Sequence, residues 1–131
     1  MDGGRGTILV ADDEDSVRWV LVKALEGAGH TVVQASGGRD ALERLREQPF
    51  DLAFVDLRMP DTDGLSVLGA AREAGLTLPV VIVTAQNTMD NAIEAMKRGA
   101  YDYIAKPFNI DEVRAVASRA LEMTRLTTDL K

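Results

Sequence analysis

The chain has 131 residues, 46% of them hydrophobic and 27% charged, which fits one globular domain with a single core. Its net charge of -6 argues against a surface that grips nucleic acid, because phosphate contacts need clustered Lys and Arg. The chain has no cysteine, no signal peptide and no apolar run near the ~20 residues that span a bilayer, so we exclude disulfides and Cys-ligated metals, and expect a cytoplasmic protein without membrane contact.

Five short segments have the composition of buried strands. They are "TILVA" (7–11), "TVVQA" (31–35), "LAFV" (52–55), "PVVIV" (79–83) and "YDYIA" (101–105). The first, third and fourth are almost continuously apolar, which is typical of central strands in a parallel sheet that is covered on both faces.

A segment with helical spacing follows each predicted strand. The predicted apolar faces are Val17, Val20, Leu21, Ala24, Leu25 and Ala28; Ala41, Leu42 and Leu45; Leu65, Leu68 and Ala71; Ala92, Ile93 and Met96; and Val113, Val116, Ala117, Ala120 and Leu121. The fifth helix starts at "NIDE", where Asn109 can cap the helix and Glu112 can reach back. Five β-α units predict a doubly wound α/β fold with a parallel five-stranded, flavodoxin-like sheet of order 2-1-3-4-5.

Polar residues stand after four of the predicted strands: Asp12 and Asp13 after the first, Asp56 after the third, Thr84 after the fourth and Lys106 after the fifth. In an open α/β sheet, ligands bind beyond the carboxyl ends of the strands, where the strand order reverses. The three aspartates should therefore converge, with Thr84 and Lys106 closing the other side. A single Asp there is usually a cap or turn residue, but caps do not explain a Lys opposite three acids.

This set of residues favours phosphate chemistry at a metal ion. Three adjacent carboxylates raise one another's pKa unless a cation joins them. An all-oxygen site without His or Cys suits Mg²⁺, with Mn²⁺ as a possible substitute. A carboxylate neutralised in this way can attack phosphorus, and the phosphoryl oxygens then need partners such as the metal, the Lys106 ammonium and the Thr84 hydroxyl.

The motifs "DD" at 12–13, "DLRMPDTDG" at 56–64, "VTA" at 83–85 and "KPF" at 106–108 together resemble the receiver domain of two-component response regulators. The resemblance covers the chain from about Thr7 to Leu121. Within that family, "SVRWVLVKALEGAG" and "GAYDYIAKPFNIDEV" are similar to receivers of nitrogen-regulator-type activators of sigma-54 transcription. The resemblance implies a CheY-like fold and a signalling switch, phosphorylated by a histidine kinase, that regulates transcription.

The resemblance also implies the phosphoacceptor and the metal ligands. Asp56 would accept the phosphoryl group, and Asp13, Asp56 and the backbone carbonyl of Arg58 would bind Mg²⁺ directly. Asp12 would act nearby or through a water molecule. Arg58 and Gln86 would tune the lifetime of the phosphoryl group.

Further roles that the resemblance implies concern the phosphoryl contacts and the switch. Thr84 and Lys106 would contact the phosphoryl group, and Tyr103 would turn inward when Thr84 moves toward it. The bond between Lys106 and Pro107 would be cis, an isomer that proline makes accessible.

The expected organisation is a flexible N-terminal segment (1–6), a receiver domain (7–122) and the end of helix five with the start of a linker (123–131). A homodimer is expected through the face formed by helix 4, strand 5 and helix 5, while DNA contacts would belong to an output domain. A stripe on helix five either docks on the sheet, pairs with another copy at its end, or leads as a coiled coil into an output domain. It consists of Val113, Val116, Ala120, Met123, Thr127 and Leu130.

Two other function classes compete with the switch. A haloacid dehalogenase-type phosphohydrolase would be phosphorylated on Asp13, since "DEDSV" (13–17) fits its Asp-x-Asp start, but the later acidic pair it needs is missing after Lys106. A nucleotide or flavin binder would need a glycine-rich or hydroxyl-rich loop after strand one, where acids stand instead.

Among the remaining residues, we expect His30 to be a solvated loop residue and Trp19 a half-exposed packing residue. Core or interface filling is expected of Met89, Met96 and Met123.

Overall fold

The computed structural model describes residues 5–85 and 89–129, with the side chains of the last helix described as far as Thr124. Strands and helices alternate along the chain: β1 Thr7–Ala11, α1 Asp15–Gly27, β2 Thr31–Ala35, α2 Gly38–Glu47, β3 Leu52–Asp56, α3 Gly64–Glu73, β4 Val80–Thr84, α4 Met89–Lys97, β5 Asp102–Ala105 and α5 Ile110–Asp129. None of the helices in these ranges is long and apolar enough to cross a membrane.

The five strands form one parallel sheet of order β2-β1-β3-β4-β5, which confirms the predicted fold class. The strand order reverses between β1 and β3, so the carboxyl ends of these two neighbours mark the switch point of the sheet. The sequence-predicted ends of β3 and β4 are each one residue too early. Asp56 and Thr84 are the last residues of their strands, because Asp56 pairs with Val83 and Thr84 pairs with Ala105 across the ladder.

Both faces of the sheet are buried, which explains the nearly continuous apolar runs of the central strands. Alternate strand residues point to opposite faces. Ile8, Val10 and Phe54 pack with α1 and α5, whereas Leu9 and Val55 pack with the helices of the other face.

The predicted inner face of α4 is wrong for two of its three residues, Ile93 and Met96, whereas Ala92 is half-buried. Ala95 is its fully buried residue, whereas Ile93 is 47% and Met96 49% exposed. The helix has nine residues and packs through this small side chain, so its larger apolar residues are left on the surface. Met89 is also exposed, which rules out the core role for Met89 and Met96 and leaves an interface role as a prediction.

Other helix-face predictions have mixed outcomes. On α5, Val113, Val116 and Ala120 are buried against the sheet, and the Asn109 side chain caps the helix by accepting a hydrogen bond of 2.7 Å from the Glu112 N–H. The docking interpretation of the stripe is therefore confirmed for these three residues. Met123 is exposed rather than part of the core, and the side chains of Thr127 and Leu130 lie outside the described residues.

Ala28 and His30 are placed differently from the prediction, whereas Trp19 is partly exposed as predicted. Ala28 is exposed, since α1 ends at Gly27, and Trp19 is 61% exposed, with Lys23 Nζ lying 5.9 Å from its ring centroid. His30 is not fully solvated, because its Nδ1 accepts a hydrogen bond of 3.2 Å from the Gly6 N–H. Burial, with a contribution from Arg5, lowers the pKa of His30.

Candidate functional site

Three carboxylates meet at the carboxyl edge of the sheet. Asp12, Asp13 and Asp56 each offer an oxygen, and these oxygens lie within 4.8 Å of one another. Asp12 directly follows β1 and Asp56 ends β3, and both are buried, whereas Asp13 is exposed. The structure therefore brings together the acids that the topology predicted to converge.

Lys106 is the cation inside this acidic group. Its Nζ lies 3.1 Å from Asp12 Oδ2, 3.1 Å from Glu14 Oε1 and 3.2 Å from Asp56 Oδ2, and its side chain is only 12% exposed. Burial acts to lower the pKa of Lys106, but the surrounding carboxylates outweigh burial and the pKa is raised. Lys106 therefore stays an ammonium, aimed at the phosphoacceptor predicted from the sequence.

Asp56 is the carboxyl whose protonation is most perturbed. Its pKa is raised to about 6, chiefly by burial and further by repulsion from Asp12, while Lys106 opposes the rise. A hydrogen bond of 3.3 Å from the Arg58 N–H to Asp56 Oδ1 also opposes the rise. One ammonium thus does not fully compensate the buried acids, and a further cation would stabilise the charged form of Asp56.

The two carboxylate oxygens of Asp12 have different partners. Its Oδ1 accepts a hydrogen bond of 2.9 Å from the Glu14 N–H. Its Oδ2 is buried and is paired with the Lys106 ammonium at 3.1 Å. An oxygen of this kind, beside two further carboxylates and without nitrogen or sulfur donors, fits a hard divalent cation such as Mg²⁺.

A cavity of about 220 Å³ opens onto these groups. Its lining consists of Asp13, Glu14, Asp56, Arg58, Thr84, Ala85 and Lys106. Thr84 is fully buried, and its carbonyl accepts a hydrogen bond of 2.9 Å from the Lys106 N–H. The peptide between Lys106 and Pro107 is cis, as predicted. Asp56, Thr84 and Lys106 therefore line one small cavity, which is large enough for a phosphoryl group.

The structure describes some, but not all, of the residues predicted for the switch and for tuning the lifetime of the phosphoryl group. Tyr103 lies on β5, half-buried beside the cluster of the α2 and α3 face, and burial raises its pKa. Arg58 is exposed at the cavity, while Gln86 lies outside the described residues.

Sequence reasoning gave no role to three residues that shape this edge. Glu14 shares the Lys106 ammonium, and Arg18 Nη1 donates a hydrogen bond of 2.6 Å to the Asp12 carbonyl. Asp61 accepts hydrogen bonds from the N–H groups of Gly38 and Arg39 at the start of α2, which lowers its pKa. The only sequence signal for Glu14 is its place beside the two aspartates.

Comparison with known proteins decides the family. A family model described as the response regulator receiver domain matches residues 8–118. This chain belongs to the response regulator receiver family. As a receiver, it is a domain of two-component signalling rather than an enzyme with an outside substrate, and the phosphohydrolase alternative is not favoured.

The receiver is similar to the receiver regions of longer regulators. It is 44% identical over 117 residues to the DNA-binding transcriptional regulator NtrC of Escherichia coli K12, covering 89% of this chain and 25% of that protein. It is 41% identical over 127 residues to the transcriptional regulatory protein ZraR of Klebsiella oxytoca, covering 97% of this chain and 29% of that protein. The receiver thus spans between a quarter and a third of these curated relatives.

Solved structures show the same fold. NtrX from Brucella abortus superposes with a TM-score of 0.89 at 34% identity, covering 96% of this chain and 29% of that one. The receiver domain of the Francisella response regulator 1452 superposes with a TM-score of 0.87 at 32% identity, covering 91% of this chain and 98% of that one. These matches confirm the predicted family and its CheY-like fold.

Proposed function

We propose that this receiver accepts a phosphoryl group on Asp56 from the phosphohistidine of a histidine kinase. In this step an Asp56 oxygen attacks phosphorus, the phosphorus–nitrogen bond breaks, and the leaving imidazole nitrogen takes up a proton. The observation that carries the proposal is the Lys106 ammonium, which lies 3.2 Å from Asp56 Oδ2 in a cavity that Thr84 also lines. Lys106 and Thr84 would stabilise the negative charge of a phosphoryl group attached to Asp56.

The acidic group would hold a divalent cation, Mg²⁺ or Mn²⁺. Asp13, Asp56 and the backbone carbonyl of Arg58 would be direct ligands, with Asp12 beside them or acting through water. When bound, the cation neutralises the carboxylates and offsets the negative charge of the incoming phosphoryl group. Support comes from the mutual proximity of the three carboxylates and from the raised pKa of Asp56, which the Lys106 ammonium does not fully offset.

Thr84 and Tyr103 would change conformation in response to the phosphoryl group. The phosphoryl group would carry about -1.5 to -2 charges in place of the single charge of the Asp56 carboxylate, and would draw the Thr84 hydroxyl and the Lys106 ammonium toward it. Movement at the end of β4 would let Tyr103, on the adjoining strand β5, turn inward and rebalance two conformations of the domain. Arg58 and Gln86 would tune how long the modification lasts.

The kinase would approach beside α1. A groove of about 500 Å³ adjoins the phosphoacceptor cavity, sharing Glu14, Ala85 and Lys106 with it. Its apolar walls are formed by Val17, Val20, Pro107 and Phe108. A helix of the kinase seated there would bring its phosphohistidine to Asp56.

The output surface would be the face formed by α4, β5 and α5, with a homodimer through this face and the end of α5. Exposed Met89, Ile93 and Met96 give α4 an apolar surface, and Arg119 Nη2 lies 3.6 Å from Asp102 Oδ2 on the adjoining elements. Apolar surface bordered by ion pairs is typical of protein interfaces.

The longer protein would be a cytoplasmic regulator of sigma-54-dependent transcription. The chain would consist of an N-terminal segment (1–6), the receiver (7–122) and the start of a linker (123–131) to output domains that contact DNA. Support comes from the similarity to NtrC and ZraR, whose names describe transcriptional regulators.

Phosphate incorporation from acetyl phosphate tests the proposed function. With Mg²⁺ present, the wild-type receiver should take up one phosphoryl group, and Asp56→Asn should take up none. Asp40→Asn, which makes the same change on α2 in a pair with Arg44, is the matched control and should behave as wild type. Undiminished labelling of Asp56→Asn would overturn the proposal in favour of another acceptor, Asp13 being the one the phosphohydrolase alternative predicts.

A further inference from the structure

The Arg18 guanidinium donates hydrogen bonds to three groups around the loop between β1 and α1. Nη1 donates to the Asp12 carbonyl at 2.6 Å, Nη2 to Asp15 Oδ1 at 2.6 Å, and Nε to Gln34 Oε1 on β2 at 3.1 Å. The Arg18 side chain is only 16% exposed although α1 lies on the surface. Three partners in different directions use the planar, rigid geometry of a guanidinium, which an ammonium cannot reproduce.

These contacts fix the peptide that joins two members of the acidic group. The Asp12 carbonyl belongs to the Asp12–Asp13 peptide, so a bond to it sets the orientation from which the Asp13 side chain leaves the backbone. The Asp12 carboxylate is independently held by the Glu14 N–H at 2.9 Å. Asp13 itself is exposed, so its direction depends strongly on the backbone that carries it.

We propose that Arg18 is a positioning residue for divalent cation binding, acting through the Asp12–Asp13 peptide. This inference rests on the proposed function, in which the acidic group holds the cation. Gln34 contributes to this positioning, because its amide oxygen accepts the Arg18 Nε–H hydrogen bond and so links Arg18 to β2. Arg18 lies outside the lining of the phosphoacceptor cavity and touches neither the phosphoryl group nor the cation.

The charge-conserving variant Arg18→Lys isolates positioning from electrostatics. Mn²⁺ binding to the whole chain would be measured from the free-ion signal in electron paramagnetic resonance, and Mg²⁺ binding by competition. We expect both affinities to fall about 10-fold, the lower end of the usual effect of removing a residue that orients metal ligands. Arg44→Lys is the matched control, since Arg44 is also a helical arginine paired with an aspartate, Asp40, and should bind metal as wild type does.

A second variant leaves Arg18 and its charge in place. Gln34→Ala removes the acceptor of the Nε bond and should weaken Mn²⁺ binding in the same direction, by less. Acetyl phosphate labelling separates binding from chemistry: the maximal rate of Arg18→Lys at saturating Mg²⁺ should stay near wild type, with the half-saturating Mg²⁺ concentration raised about 10-fold.

Unchanged Mn²⁺ affinity in Arg18→Lys would overturn the positioning role, as would a lower maximal labelling rate with unchanged affinity. If the wild-type chain binds no Mn²⁺ at all, the metal site of the proposed function fails, and the positioning role fails with it.

Discussion

One lysine holds together the acids at the carboxyl edge of the sheet. Lys106 Nζ lies within 3.2 Å of three carboxylates, two in the loop between β1 and α1 and one at the end of β3. At 4 Å, two unit charges interact by about 4 kcal/mol at an effective dielectric of 20, so both the attraction and the repulsion here are large on the scale of domain stability. The metal-free domain therefore depends on this ammonium.

Replacing Lys106 by alanine should destabilise the metal-free domain. Removing one partner of a buried pair leaves the other charges uncompensated, and we expect a loss on the order of 3 kcal/mol in the free energy of unfolding in EDTA. Mg²⁺ should recover a large part of this loss, since Lys106→Ala keeps all the acidic ligands. Urea unfolding in EDTA and in Mg²⁺ checks this, with the exposed Lys23→Ala as control.

A deficit of the same size in EDTA and in Mg²⁺ would show that Lys106 stabilises the fold independently of the acidic group. Phosphorylated Lys106→Ala should also fail to change its output surface. Normal phosphorylation-dependent dimerisation of this variant would count against a role in the switch.

The raised pKa of Asp56 predicts a pH-dependent stability of the metal-free domain. The folded-state pKa is about 6 against 3.8 for the ordinary carboxyl, so between these values the folded state binds more protons than the unfolded state. Stability contributed by protonated Asp56 is therefore present below about pH 4 and is lost as pH rises through about 6. The total effect is on the order of 3 kcal/mol, since each unit of pKa difference corresponds to about 1.4 kcal/mol.

Comparison of wild type with Asp56→Asn isolates this titration. In EDTA the asparagine variant should be more stable than wild type at pH 7, and the difference should narrow toward pH 5. Urea midpoints measured across this range test the prediction, and a difference that is constant with pH would refute it.

At the scale of elements, α3 starts against the backbone of the phosphoacceptor. A Cβ placed on Gly64, the first residue of α3, would lie 2.5 Å from the Asp56 carbonyl oxygen, which is backbone and cannot move aside cheaply. The Gly64 N–H also donates to the Leu57 carbonyl at 2.9 Å, and Asp63 Oδ1 caps the helix by accepting from the Ser66 N–H at 2.8 Å. The loop after β3 is thus fixed close to the acid that it follows.

Alanine at Gly64 should therefore lower stability, by about 1–3 kcal/mol, and should slow labelling by acetyl phosphate. Gly69 in the same helix is the matched control, because a Cβ there meets nothing within 4 Å. Gly69→Ala should raise stability by up to about 1 kcal/mol through helix propensity. Thermal melts of both variants check the prediction; an equally tolerated Gly64→Ala would contradict the close packing at Asp56.

The sequence predicts best those strands and helices whose apolar residues follow one clear pattern. β1, β3 and β4 are dense apolar runs, and their parallel pairing follows from the helices between them, so the sheet order was predictable. The inner face of α4 was not, since Ala95 is buried while the larger Ile93 and Met96 are exposed. Size and hydropathy mislead where a short helix packs through a small residue.

The same distinction applies to the candidate site. Asp12, Asp56 and Lys106 were predictable because they stand at or just beyond strand ends, where the topology alone brings them together. Glu14 and Arg18 were not, because their contacts depend on side-chain reach and on backbone orientation within the β1–α1 loop. The spacing of residue types in the sequence defines neither the reach of these side chains nor the orientation of the loop backbone.

At the scale of the whole molecule, the apolar surface of α4 is the feature that points beyond this domain. Met89 is 78% exposed, and Ile93 and Met96 lie on the same side of the helix at spacings of four and three. We predict that Ile93→Asp abolishes phosphorylation-dependent dimerisation while leaving labelling of Asp56 unchanged. Sedimentation velocity with and without acetyl phosphate measures this.

Trp19→Asp serves as the control, because it places the same charge on an exposed large apolar residue of α1. It should not alter dimerisation. Equal loss of dimers in both variants would show a general effect of surface charge, and unimpaired dimers in Ile93→Asp would exclude α4 from the interface.

Locating the phosphoryl group on the chain tests the proposed switch most directly. The receiver would be incubated with acetyl phosphate and Mg²⁺, the acyl phosphate reduced with borohydride, and the modified residue identified by peptide mass spectrometry. We predict a single modified position, Asp56, and its loss in Asp56→Asn. Modification of Asp13 with Asp56 unmodified would contradict the proposed switch and support a phosphohydrolase.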